Sequence, residues 1–305
     1  MKRAYNTNFY YIVLVIVYFL LAIFLPANWI TEKTYHLTAS EYHILLVIFM
    51  LPVLIFWYAA FYGGHKLKEY AVLVKETAGG TEYWQIARGS LWLAWGIAIP
   101  SVLGLAINAL VNAHPNFNNW SIILINYLDL GFSIISFSLI SNGTKGLREK
   151  AHLRISNRRL KALIGILVCL SVLFCFLVFR QFQLNNLFST ANPYKLPLLL
   201  VMLSIVIPYL YAWFLGLFAA HEMYLLAKNA HGLFYQNALR QLVGGLGCII
   251  SGSIALQYLS SSVPGHNYLL LNGKLLAYFL MLILTAGGFM LIAVSASQLK
   301  KLEEI

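Results

Sequence analysis

Charge is the first thing this sequence lacks. Only 10% of its 305 residues are charged, ten residues are acidic, and a single one, Asp129, is an aspartate. A soluble domain carries about 25% charged residues because its surface has to be solvated by water. With 60% hydrophobic residues, the chain has too few charges to cover a water-exposed surface of its size. The composition therefore predicts an integral membrane protein.

Cysteines and catalytic motifs are scarce as well. The three cysteines, Cys169, Cys175 and Cys248, lie inside apolar segments and form no CxxC pair, which argues against a disulfide framework and a thiolate metal site. The chain contains no HExxH, GxSxG or Walker sequence and no aspartate-rich diphosphate motif. No loop is long enough to form a soluble catalytic domain. The sequence favours a protein that is not an enzyme, and we expect no cofactor.

Eight apolar stretches are long enough to cross a bilayer. A hydrocarbon core of about 30 Å needs about 20 apolar residues in a helix. None of the stretches alternates as a barrel strand would, so we predict an all-α polytopic membrane protein with eight transmembrane helices. The predicted spans are 9–26, 43–62, 90–112, 120–142, 160–180, 196–218, 241–261 and 274–296.

The basic residues predict how these helices are oriented. If the N-terminus is inside, only Lys33, Arg180, Lys195 and Lys274 of the 21 lysines and arginines fall on the outside. The positive-inside rule then places both termini in the cytoplasm, in a plasma or inner membrane. The same residues explain the net charge of +11 without nucleic acid, because anionic lipid headgroups attract basic cytoplasmic loops.

Matching landmarks in the same order indicate an internal duplication. We predict two four-helix repeats, residues 1–150 and 151–305, which have the same orientation because each holds an even number of helices. An axis along the membrane normal would relate the two repeats. The landmarks, given as pairs from the first and second halves, are Tyr42 and Tyr194, Pro52 and Pro208, Trp57 and Trp213, His65 and His221, Lys75 and Lys228, and Arg88 and Arg240.

Two cytoplasmic segments are predicted to be helical elbows. Segments 63–89 and 219–240 begin as continuations of the preceding spans. Glycine ends each continuation, at Gly79-Gly80 and at Gly232, because glycine is a poor helix former that turns easily.

Asp129 lies in the middle of an apolar span, where a carboxylate is energetically unfavourable. A spacing of i, i+3, i+7 and i+10 puts Asn126, Asp129, Ser133 and Ser136 on one helix face. At 1.5 Å per residue from a start near residue 120, Asp129 lies about 13 Å deep, close to the midplane. Because an ionisable residue at that depth marks a functional site by default, we predict that this face binds a substrate or an ion.

Two further spans carry polar residues that could join this site. Ser101 and Asn108 lie on the third predicted span, and Ser253 and Gln257 lie on the seventh. The alternative is structural, since serine, asparagine and glutamine also join membrane helices through hydrogen bonds worth about 0.6 kcal/mol each. We favour helix packing for the serines and a functional role for Asp129.

A histidine follows two small residues at the end of each of two matching spans. A twofold axis could bring His65 and His221 onto one haem iron or one metal ion. A contact with lipid headgroups or a cation at a helix end explains the same pattern. We rank haem ligation well below a headgroup contact or a helix-end cation. Zinc binding ranks lower still, because no third ligand is evident.

Three functions remain open. We place first a permease or channel for a small solute or cation, with Asp129 in its path. The alternative is a membrane sensor or a non-catalytic subunit that assembles with itself or with another membrane protein. The aromatic-rich helices and the missing catalytic motif fit this alternative equally well. A bis-histidine haem protein comes third.

Overall fold

All regular structure in the described part of the chain is α-helical, which confirms the predicted all-α class there. The predicted spans 9–26 and 160–180 fall almost entirely outside the described residues. The computed structural model describes the backbone of residues 39–77, 79–113, 118–153, 195–261 and 268–303, with isolated positions within 12–16 and 161–172. Side chains are described within 54–77, 79–100, 102–103, 127–153, 207–253 and 282–303, and at those isolated positions.

Six long helices make up this part of the chain. Each contains one predicted span and extends beyond it, and their lengths run from 29 to 36 residues. Such helices reach about 44–54 Å, which exceeds a bilayer core of about 30 Å. Among the described residues, Ile207–Asn229 and Leu282–Glu303 are long and apolar enough to cross a membrane. In chain order the helices are α1 (Ala39–Leu73), α2 (Gly80–Ala113), α3 (Asn118–Lys150), α4 (Lys195–Asn229), α5 (Leu233–Ser261) and α6 (Tyr268–Glu303).

Glycines form the elbows between α1 and α2 and between α4 and α5. The carbonyl of Gly79 accepts the first hydrogen bond of α2, from the N–H of Tyr83, and the carbonyl of Gly232 accepts that of α5, from Gln236. Gly232 has a φ of 91°, a left-handed conformation that glycine adopts without Cβ strain. The helix breaks predicted at these glycines are therefore confirmed.

The six helices close into a ring. Each packs against its neighbours in the chain, and α6 packs back against α1. The order of helix contacts within α1–α3 is the same as within α4–α6, so the α3–α4 and α6–α1 junctions occupy matching places. A continuous cluster of buried apolar side chains, which includes Trp57, Phe137 and Phe289, fills the interior. The division of the chain into two repeats at residue 150 stays a prediction.

Close backbone contacts hold α6 against both of its neighbours. A Cβ atom added to Gly63 of α1 would collide with the carbonyl oxygen of Phe289 on α6. A Cβ added to Gly245 of α5 would stand 2.6 Å from the carbonyl oxygen of Gly288. These glycines let the helix backbones approach more closely than any larger residue would allow.

Candidate functional site

Polar side chains meet at two places along the junction of α3 and α4, which we name the α3–α4 seam. The first contact joins Asp129 of α3 to Tyr209 of α4. The second joins Thr144 and Arg148 of α3 to Glu222 of α4. At 1.5 Å per residue, the two contacts lie about 22–28 Å apart along α3. If Asp129 lies near the midplane as predicted, the seam therefore runs from mid-depth to beyond residue 142, where the predicted span ends.

Asp129 is bound by a buried tyrosine. The Tyr209 hydroxyl donates a hydrogen bond of 2.6 Å to Oδ2 of Asp129. So short an O–H···O distance is typical of a charge-assisted bond. Tyr209 is buried, and the centre of its ring lies 6.1 Å from that of Trp213. The acid that the sequence singled out thus has a defined partner on the neighbouring helix.

Glu222 is fully buried and carries two side-chain hydrogen bonds. Its carboxylate accepts one bond of 2.9 Å from Nε of Arg148 and one of 3.0 Å from Oγ1 of Thr144. Arg148 also donates a 2.9 Å bond to the backbone carbonyl of Leu153. A buried carboxylate is tolerated only with partners of this kind. This cluster was missed at the level of sequence, although Glu222 is the only acidic residue in α4.

An aromatic ring separates the two polar contacts. Phe137 of α3 is buried and faces Gly216 of α4, on which a Cβ would stand 3.1 Å from the ring. The side chain of Ile250 on α5 lies equally close to Gly216, at 3.0 Å. Along the helix axis, Phe137 lies about 10–12 Å from both Asp129 and Thr144. The seam is therefore polar, then apolar, then polar.

The other predicted site residues are only partly described. Ser133 and Ser136 are buried on α3, and Oγ of Ser136 donates a 2.7 Å bond to the carbonyl of Phe132 in its own helix. Ser253 is half-buried on α5. Whether further residues join the aspartate in one site stays a prediction. Four of them have side chains outside the described residues: Ser101, Asn108, Asn126 and Gln257.

Neighbouring helices pack closely against the two glycines that precede His65. A Cβ on Gly64 would stand 2.8 Å from a leucine side chain of α2, and one on Gly63 would collide with the backbone of α6. Whether His65 and His221 hold a haem stays a prediction. Burial, followed by the charge of Lys68, lowers the pKa of His65, so this side chain is mainly neutral at neutral pH. His221 lies on α4, and within the described residues no group of three His, Cys, Asp or Glu side chains could hold a metal ion.

A cavity of about 800 Å³ opens at the end of the ring that holds both elbows, which we name the elbow end. Helices α2, α3, α4 and α5 all contribute to its wall. Lys150, Lys228 and His231 line it, and no acidic side chain is among its described lining residues. The hydroxyls of Tyr83 and Tyr235 meet in the same wall, 3.1 Å apart. The cavity is therefore basic and rich in hydrogen-bond donors.

Comparison with known protein families, with curated proteins and with solved structures finds no match. Function therefore has to be inferred from the contacts within this chain alone.

Proposed function

We propose that the chain is a polytopic membrane protein and a permease or channel for a small solute or cation, whose path follows the α3–α4 seam. The apolar composition and two helices of sufficient length and hydropathy support a location in a plasma or inner membrane. The distribution of basic residues supports an orientation with both termini and the elbow end in the cytoplasm.

The polar–apolar–polar order of the seam carries this proposal. Asp129 lies near the predicted mid-depth of the bilayer, and buried ionisable residues within membrane spans mark paths for ions and protons. Phe137 lies between Asp129 and the buried Glu222 carboxylate, and apolar constrictions gate such paths by excluding water. An ion that displaced the Tyr209 hydroxyl would be held at Asp129, about 12 Å from Phe137 along the helix axis, and could not pass further until that ring moved.

The contrast between the two matching junctions supports a path on the α3–α4 side. At the α6–α1 junction, the rings of Phe56 and Phe289 pack edge to face with centres 6.3 Å apart, and Gly63 lies against the α6 backbone. Transporters built from repeats change access by rocking one half against the other. A tight apolar junction suits the fixed side of such a movement, and a polar junction suits the side that opens.

Flux through proteoliposomes tests this function. The purified protein should carry at least one of two probes, rubidium ions or protons, the latter reported by a trapped pH-sensitive dye. Asp129→Asn should lower the rate about tenfold to hundredfold, because it removes the charge that would bind the ion, and a charge-assisted contact is worth about 1.5–3 kcal/mol. Glu76→Gln, which alters an exposed acid in the first elbow, should leave the rate unchanged. A flux that Asp129→Asn leaves unchanged would contradict the path proposed here.

A sensor or a non-catalytic subunit of a membrane complex is the second candidate. The observation in its favour is that two polar groups of this region are satisfied inside the chain, Asp129 by Tyr209 and Ser136 by its own helix. Here the seam would fix helix register, and the partner would be a second copy or another membrane protein. Solubilisation in mild detergent should then yield a stable assembly, and the proteoliposomes should carry neither probe.

A further inference from the structure

None of the residues that form the two contacts of the seam lines the elbow-end cavity, although Leu153, whose carbonyl accepts a bond from Arg148, does. Its wall brings together the first turns of α2 and α5 and the last turns of α3 and α4. At about 800 Å³, it falls in the range of small-molecule sites, which is about 300–1,000 Å³. Its chemistry can therefore be judged independently of transport.

The basic side chains of the cavity are not equivalent. Lys150 donates a 2.7 Å bond to Glu82, so its charge is already compensated. Lys228 and His231 also line the cavity, and neither forms an ion pair within the described residues. These two side chains can therefore receive a negative charge from outside the chain.

The two elbows differ in how their following helices begin. Gly79 and Gly232 cap α2 and α5 through their carbonyls, and glycine offers no side chain to the N–H groups of the first turn. In α2, Glu82 places a carboxylate in that turn. The first turn of α5 has no acidic residue, although its N–H groups and helix dipole favour an anion equally. His231, two residues before α5, and Tyr235, within its first turn, both line the cavity.

The paired phenols add a neutral donor to the same wall. Burial, followed by the neighbouring phenol of Tyr235, raises the pKa of Tyr83 well above its ordinary value, so Tyr83 stays protonated. Only one hydrogen lies between the two oxygens of the Tyr83–Tyr235 pair. Because Tyr235 is the less buried of the two, its hydroxyl can turn toward a ligand in the cavity.

Two exposed apolar side chains flank this basic wall. Leu233 and Phe234, the first residues of α5, are 76% and 78% exposed. Apolar side chains next to basic ones are typical of segments that lie at a membrane interface. A phosphate held beside them would stand at the level of lipid headgroups.

We propose that the elbow-end cavity binds a phosphate-type oxyanion between Lys228, His231 and the first turn of α5, with the Tyr235 hydroxyl as a further donor. The phosphate comes either from an anionic lipid headgroup or from a free phosphate compound. This binding does not require transport along the α3–α4 seam.

The test measures the melting temperature of the purified full-length chain in two settings. The first is neutral detergent with increasing inorganic phosphate, at an ionic strength kept constant with sodium chloride. The second compares nanodiscs of phosphatidylcholine with nanodiscs that also contain phosphatidylglycerol. Lys228→Gln removes the ammonium group from the cavity, and His231→Gln removes the imidazole. Lys75→Gln is the matched control, because Lys75 is exposed in the other elbow and does not line the cavity.

A ligand that binds the folded state raises the melting temperature in proportion to its occupancy. If the source is free phosphate, the wild type and Lys75→Gln should be stabilised alike. Lys228→Gln and His231→Gln should then need about tenfold more phosphate for the same shift. If the source is a lipid headgroup, inorganic phosphate should have little effect, and phosphatidylglycerol should stabilise the wild type and Lys75→Gln but neither cavity variant. No stabilisation in either setting, or an equal response in all four proteins, would overturn the proposal.

Discussion

Among single residues, Glu222 has the largest expected effect on stability. It is fully buried, and Arg148 and Thr144 donate to its carboxylate. Removing one member of a buried ion pair leaves the other charge uncompensated, at about 3–5 kcal/mol. Because Arg148 keeps 14% of its side chain exposed, we expect Glu222→Leu to lower the free energy of unfolding by about 3 kcal/mol. Denaturant unfolding in detergent measures this difference.

Two further variants separate the buried pair from a general loss of charge. Glu69→Leu breaks an exposed helix pair with Lys66, so it should change the free energy of unfolding by no more than about 0.5 kcal/mol. The double variant Glu222→Leu/Arg148→Met should recover most of the loss, since an apolar pair of similar volume replaces both charges. Equal losses for Glu222→Leu and Glu69→Leu would show that Glu222 has no special role.

The Glu82–Lys150 pair makes stability depend on pH. Burial opposes ionisation of Glu82, but hydrogen bonds from Lys150 and Thr81 outweigh burial and hold the pKa of this carboxyl below its ordinary value of 4.5. The contribution is therefore fully present above pH 4.5 and is lost as the pH falls through the lower folded-state pKa. Glu82→Gln should lower the free energy of unfolding by no more than about 1 kcal/mol at pH 7, because Lys150 is half exposed.

The measurement for Glu82 is the difference in free energy of unfolding between wild type and Glu82→Gln over a pH series. The difference should stay constant through neutral pH and shrink under acid conditions. Glu149→Gln, whose partners are exposed or already paired, is the control and should show a smaller difference throughout. A difference that grew as the pH fell would contradict the assignment.

The sequence predicted only one of the residues that form the seam. Asp129 stands out because it is the single aspartate of the chain and lies inside an apolar span. Its partner Tyr209 is one of 19 tyrosines, and nothing in a single sequence distinguishes it from the others. In the sequence, Arg148 is one of many basic residues on the predicted cytoplasmic side. Its pairing with Glu222 on another helix depends on tertiary packing. A lone charge in an apolar span is visible in sequence, whereas its partner is not.

At the scale of helices, the C-terminus of α3 holds a residue of the wrong type for its conformation. The N–H groups of Leu153 and His152 bond to the carbonyls of Arg148 and Glu149, which is the Schellman pattern. His152 takes the left-handed position, with φ of 54°, where glycine is usual. A Cβ in that conformation costs about 1 kcal/mol, so His152→Gly should raise the free energy of unfolding by about that amount.

The reverse change at the other left-handed position is the control for this prediction. Gly232 has φ of 91° and nothing within 4 Å of an added Cβ, so Gly232→Ala should lower the free energy of unfolding through backbone strain alone. Unfolding of both variants in detergent measures the pair of shifts. Shifts of the same sign would show that backbone conformation does not determine stability at these helix ends.

Hydropathy located the six described helices but not their ends. The predicted span 43–62 stops well before α1 does, because the following segment is polar and a hydropathy window counts only apolar residues. The helix continues because Leu67 and Tyr70 are buried in the core and because Lys66 and Glu69 form an ion pair one turn apart. The elbow glycines could be predicted from the sequence, because the tendency of glycine to interrupt a helix comes from its own backbone freedom and not from tertiary contacts.

At the scale of the whole molecule, the ring itself could not be read from the sequence. Landmarks in matching order predict two similar halves, and this division stays a prediction. The structure adds that the hydroxyls of Tyr83 and Tyr235, each in the first turn after an elbow glycine, touch across the elbow end. Which helices meet across the junctions depends on tertiary packing, and a single sequence does not reveal it.

The ring closes because the backbones of α1 and α6 approach closely at Gly63. A Gly63→Ala substitution, which adds one methyl group there, tests how much this approach contributes to stability. Gly63→Ala would force a Cβ into the carbonyl oxygen of Phe289, so the α1 and α6 backbones would have to separate. Overpacking of this kind costs about 1–3 kcal/mol in free energy of unfolding.

Gly131→Ala on α3 is the matched control, because nothing lies within 4 Å of its added Cβ and alanine is the better helix former by about 0.5–1 kcal/mol. Unfolding in detergent should therefore show Gly63→Ala below the wild type and Gly131→Ala above it. If Gly63→Ala were as stable as Gly131→Ala, the α6–α1 junction would not be tightly packed. It could then not serve as the fixed side of the movement proposed to open the α3–α4 seam.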